Sequence, residues 1–119
     1  MITPPNIPNN ANGAVLRRLW DSGDDLSQPR IIEFFHSFVT RRQALDFAEL
    51  VDDRQLEVCI SYNEEENKWD AIVKRYMIPT HHDISDQELL LARHAESVDG
   101  RADGWECMRL VATKSVMDG

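Results

Sequence analysis

The residues able to do chemistry in this sequence are few, and most of them are spaced against it. His81-His82-Asp83 is the tightest metal-like triplet. A metal centre needs ligands aimed at one point, as in tetrahedral zinc sites. Adjacent residues in extended chain point to opposite sides, so two neighbouring histidines there do not share an ion. The triplet reads as an exposed polar loop ahead of a helix. His36 alternates in step with Ile32, Phe34 and Phe38 and reads as a half-buried structural histidine. His94 reads as part of a solvated helix face. The chain has two cysteines, Cys59 and Cys107, too few for a disulfide scaffold, and both are expected as free thiols. No nucleophile elbow, glycine-rich phosphate loop or CxxC is present. The residues therefore point to a protein with no catalytic group, no metal and no cofactor. A small metal enzyme built on His81, His82 and nearby acids is the alternative.

Charge narrows the partners. The 119 residues carry 13 Lys plus Arg against 21 Asp plus Glu, a net charge of −8. A nucleic-acid binder needs clustered cations to displace counterions from phosphates, so direct nucleic-acid binding is not expected. A protein partner with a basic surface suits the acidic balance. No apolar run approaches the roughly 20 residues of a membrane span. The start of the chain lacks the basic stretch and apolar core of a signal peptide, so the expected location is cytoplasmic. Glu64-Glu65-Glu66 reads as a solvated turn. Asp103-Gly104-Trp105-Glu106 is more informative. Gly100 and Gly104 bracket a tight turn, and Trp105 then enters a strand as a surface aromatic flanked by acids, a pattern common in interface anchors.

The elements that must position these residues follow from periodicity. Residues 1–12, with three prolines and four asparagines, read as a flexible arm. A single domain over 13–112 and a frayed end over 113–119 complete the chain. Val15, Leu16, Leu19 and Trp20 recur at helical spacing and predict a helix over about 13–22, with Gly23 just past its end. Residues 30–39 carry apolar side chains on both faces and predict an interior strand covered in part on each side. Thr40 and Gln43 form a capping box for a helix to about residue 51. Residues 56–62 and 69–76 predict an antiparallel hairpin across the polar turn 63–68. Ser85 and Glu88 form a second capping box, with Ile84 and Leu89 as a hydrophobic staple. The helix they start runs to about residue 98, with Gly100 as its stop, and a last strand covers 105–111. The order after the first helix is βαββαβ. Right-handed crossovers then give an α+β, ferredoxin-like split β-α-β sandwich, with one antiparallel sheet and both helices on one face. The first and third strands lie in the middle. Cys59 and Cys107 fall on opposite edges, beyond disulfide reach.

Three stretches carry a resemblance to a known family. They are Gly23-Asp24-Asp25-Leu26 followed by Pro29 to Phe35, Trp69 opening the third strand, and Asp103-Gly104-Trp105-Glu106 after the last helix. In this order the chain resembles the ribonuclease E inhibitor family, also called regulator of ribonuclease activity B, over roughly residues 13–111. Ala102 stands where that family tends to place Tyr, and the segment 112–119 is short and not acidic. The resemblance implies a ferredoxin-like fold and a non-catalytic role. It implies binding to ribonuclease E on its noncatalytic scaffold region, and damping of RNA turnover. A structural or immunity-type protein with an unrelated partner is the other reading.

The βαββαβ order also sorts the charges. One end of the sandwich collects Asp24, Asp25, Asp52, Asp53, Asp83 and Asp86 against Arg30 and Arg54. The candidate partner-binding residues are accordingly Asp24, Asp25, Asp52 and Asp53 at that end. Asp103, Trp105 and Glu106 form the rival site.

Overall fold

The computed structural model describes residues 7–110. The expected frayed end, 113–119, lies outside the described residues, as does the first half of the expected arm. Three helices and four strands follow in the order α1 (Ala11–Asp21), β1 (Arg30–Phe38), α2 (Arg41–Leu50), β2 (Leu56–Asn63), β3 (Lys68–Met77), α3 (His81–Ser97) and β4 (Arg101–Cys107). The strands form one antiparallel sheet in the order β2-β3-β1-β4. This is the α+β, βαββαβ arrangement with an added N-terminal helix that the periodicity predicts.

Alternation places the core. Ile32, Phe34 and Phe38 of β1 and Ala71 and Val73 of β3 point to one face of the sheet and are buried. Ala44 and Phe47 of α2, Ile84, Leu91 and Ala95 of α3, and Leu16 of α1 close over them. Each large side chain so buried contributes about 1.5–3 kcal/mol. β1 is interior, but the second apolar face expected for it is not covered by a helix. Ile31 on that face is 48% exposed.

Local chemistry sets the helix ends. At α2 the capping box is as expected: Gln43 N–H donates to Thr40 Oγ1, and Gln43 Oε1 accepts from Thr40 N–H. α1 starts at Ala11, inside the segment read as an arm, because Asn10 caps it by accepting from Gly13 N–H. It ends in a Schellman motif: Gly23 N–H bonds the Trp20 carbonyl and Asp24 N–H that of Leu19, with Gly23 at φ 94°.

α3 corrects the sequence reading at both ends. Thr80, not Ser85, is its N-cap, accepting from Asp83 N–H at 3.1 Å. His81, His82 and Asp83 are therefore its first turn and not a loop. The staple is absent too, since Ile84 is fully buried within the helix while Leu89 is 53% exposed. Both Thr80 and Ser85 carry a capping hydroxyl. Burial of Ile84 on the same face as Leu91 decides between them, by extending the helix one turn. At the other end the Schellman motif has Asp99, at φ 62°, in the left-handed position expected for Gly100. Gly100 has a different reason: a Cβ there would lie 2.2 Å from the Phe38 ring.

The capping assignment has a direct test. Thr80→Ala should cost about 0.5–2 kcal/mol in urea unfolding. Ser85→Ala should cost less, because its hydroxyl only accepts one hydrogen bond from Asn12.

Candidate functional site

The Asp103–Glu106 stretch is not a turn. It lies inside β4, where Phe34 pairs with Trp105 but His36 pairs with Ala102. One residue of β1 thus faces two of β4, Asp103 and Gly104, which is a β-bulge. Gly104 takes φ 102°, a backbone region that side chains with a Cβ rarely enter. The bulge explains why β4 begins at Arg101, four residues earlier than the apolar pattern predicts. It also separates the three residues read as one site. Trp105 turns toward the helices and packs against the core. Its indole N–H donates to Asn12 Oδ1 at 2.9 Å, while Asn12 Nδ2 donates to Ser85 Oγ and to Glu88 Oε1. Trp105 therefore ties β4 to α1 and α3, and is not an exposed anchor. Glu106 lies on the opposite, helix-free face, paired across from Glu33. Asp103 is exposed and accepts from Arg101 Nε at 2.7 Å.

The carboxylates grouped at one end of the sandwich differ in exposure. Asp24, the C″ residue of α1, is buried, and its carboxylate accepts from both terminal nitrogens of Arg30 at 2.7 and 2.8 Å. Its Oδ2 also accepts from Leu110 N–H at 3.1 Å. Arg30 donates further to the carbonyls of Met108, Asp25 and Gln28. Asp24 has no surface left for a partner, which corrects its place among the candidate binding residues. Asp25 stays near the surface with its carboxyl pK held below the usual range, chiefly by hydrogen bonds from Ser27. Asp52 and Asp53 are exposed in the loop after α2, with Gln55 N–H donating to Asp53 Oδ1 at 2.8 Å. They border a small groove that also holds Leu50 and Leu90, which are 43% and 49% exposed. Without the Asp24–Arg30 pair, the end has Asp25, Asp52, Asp53, Asp83 and Asp86 against Arg54, with Arg109 beside it donating to the Ser22 carbonyl.

Several histidines and a cysteine have structural roles. His36 is buried against Phe47, with ring centroids 4.7 Å apart, and its Nδ1–H donates to the Ala71 carbonyl. Burial pushes its pK below that of a free histidine. His82 sits 3.1 Å from Asp86 one turn on, and His81 contacts Asn10. Among the described residues no three His, Cys, Asp or Glu side chains converge on a metal position. Cys59 and Cys107 are free thiols on opposite edge strands. Burial pushes the Cys107 thiol up, away from a reactive thiolate, with partial relief from Arg30. Among the described residues no helix is long and apolar enough to cross a membrane.

With this geometry in place, comparison with known families is decisive. The model of a family described as "Regulator of ribonuclease activity B" matches residues 9–107. The chain belongs to the regulator of ribonuclease activity B family. A comparison with individual curated proteins found no match. The family match begins at residue 9, within the segment read as an arm, and so includes Asn12 and its three-way junction. It ends at Cys107, the last residue of β4. Sequence reasoning missed Asn12 because nothing distinguishes it from the three other asparagines among the prolines of residues 1–12. It missed the role of Arg30 because a basic residue opening a strand reads as solvent-facing.

Two outcomes follow from the buried groups. Arg30→Met leaves Asp24 charged and unpaired in the interior, so it should cost about 3–5 kcal/mol. The Asp24→Leu/Arg30→Met double variant should cost less than either single change in a urea-unfolding cycle. His36 is lowered in the folded state, so the unfolded chain takes up its proton first. Stability is full above the ordinary histidine pK near 6.5 and falls as pH drops through and below it. His36→Gln should remove that step between neutral and mildly acidic pH, read as the midpoint of urea unfolding.

Proposed function

We propose that this protein is a non-catalytic regulator that binds a ribonuclease through its acidic surface, with ribonuclease E as the partner. The family match over residues 9–107 carries this reading. The net charge of −8 supports a protein partner with a basic face and argues against direct contact with RNA. The chain would then work in the cytoplasm, where RNA turnover takes place.

On this reading the end of the sandwich bearing Asp25, Asp52 and Asp53 steers and contacts the partner. Asp52 and Asp53 edge the groove that Leu50 and Leu90 also line, so a basic segment with an apolar side chain finds both complements there. Trp105 contributes by holding β4 in place from behind.

The test is titration of purified ribonuclease E with the protein, read both as binding and as the rate of cleavage of an RNA substrate. Binding with slowed cleavage is expected. The Asp25→Asn/Asp52→Asn/Asp53→Asn variant should bind more weakly and with a flatter dependence on salt. Absence of binding by the unaltered protein removes ribonuclease E as partner. Unchanged affinity and salt dependence in the variant removes the acidic end.

A further inference from the structure

The sheet has one face covered by helices and one face left open, and the open face is patterned. Three rows cross it at right angles to the strands. The first holds Tyr76 of β3, Ile31 of β1 and Met108 just beyond β4. These are 65%, 48% and 75% exposed, an unusual run of large apolar side chains in water. The second row holds Glu57, Lys74, Glu33 and Glu106, in register across β2, β3, β1 and β4. The third holds Cys59, Ile72 and Phe35. A groove of about 610 Å³ runs along the first two rows, lined among others by Ile31, Glu33, Glu57, Lys74, Glu106 and Met108.

The second row breaks a folding rule. Lys74 Nζ lies 3.7 Å from Glu33, and Lys74 also pairs in register with Glu57 on its other side. Glu33 and Glu106 face each other directly, and like charges so placed repel and cost stability. A pair that opposes folding is a mark of surfaces kept for another purpose. Its complement is a cation brought in from outside.

We infer that the helix-free face of the sheet is a docking surface for an arginine-bearing segment of a protein partner, seated between Glu33 and Glu106. A guanidinium presents a planar fork of donors that two opposed carboxylates satisfy together, which an ammonium does not match. The arginine stem and an adjacent apolar side chain lie along Ile31, Met108 and Tyr76, whose ring also accepts a cation on its face. The surface rests on the reading that this chain works by protein contact. It is distinct from the acidic end, since it is formed by strand residues on the side away from α2 and α3.

The experiment titrates the isotope-labelled protein with two peptides, one alternating arginine and leucine and one alternating glutamate and leucine, followed by NMR. The arginine peptide should shift the amides of Ile31, Glu33, Lys74, Tyr76 and Glu106, and the glutamate peptide should not. Glu33→Gln/Glu106→Gln should weaken the arginine peptide by about tenfold, or ~1.4 kcal/mol. Glu106→Gln alone should keep or raise the melting temperature, because it removes the repulsion and leaves the Glu33–Lys74 pair in place. Shifts confined to other surfaces, equal response to both peptides, or unchanged affinity in the variant overturns the inference. So does a homodimer in sedimentation that the variant dissociates, since the face would then belong to a second copy. None of these readouts uses ribonuclease E, so failure of that partner leaves the result for this face intact.

Discussion

Arg30 stands where three stretches of chain meet. Its guanidinium is buried, and a buried charge without partners would cost several kcal/mol. Asp24 supplies the counter-charge in a two-point grip, and the carbonyls of Gln28, Asp25 and Met108 take remaining donors. The same Asp24 carboxylate reaches Leu110 N–H. One ion pair thus fixes the exit of α1, the start of β1 and the chain leaving β4. Asp24 reaches this place because the Schellman motif at Gly23 turns the backbone sharply after α1. β1, one of the two central strands, begins at Arg30, so the pair sits where its pairing with β3 starts.

The β4 side of the core depends on a second junction as well. The bulge at Asp103-Gly104 lets Trp105 face inward, where its indole N–H meets Asn12. Asn12 in turn holds Ser85 and Glu88 on α3. A lone asparagine therefore joins two helices and an edge strand. Upstream of the bulge, β4 continues with Ala102 opposite His36. His36 is itself buried against Phe47, so the small side chain at position 102 faces a buried ring across the sheet. These contacts give the Asp-Gly-Trp-Glu stretch a structural meaning. It shapes β4 and locks it, and only Glu106 and Asp103 present charge to solvent.

The sheet has two unlike faces. One face is committed to burial against α2 and α3. The other keeps ionic groups in a row bordered by exposed Tyr76, Ile31 and Met108. The loops at one end add Asp25, Asp52 and Asp53. His36, His81, His82 and Cys107 are drawn into packing or local pairs. Membership of the regulator of ribonuclease activity B family fits that division.

Periodicity by itself determined the element order, the antiparallel hairpin, the central position of β1 and β3 and the capping box at Thr40. Each rests on forces acting within a few residues, or on an alternation that only one topology buries. The α3 start was ambiguous in sequence because Thr80 and Ser85 offer the same hydroxyl. Packing of Ile84 chose between them. The bulge at Gly104 was invisible for a similar reason: a glycine after an aspartate suits a turn as well as a bulge, and only pairing with β1 distinguishes the two. Of the candidate site, the acidic character of one end was legible, because topology alone groups the loops. The burial of Asp24, the inward turn of Trp105 and the facing of Glu33 by Glu106 were not. Each depends on which residues meet across tens of positions in the chain, and that is set by tertiary register and not by local preference.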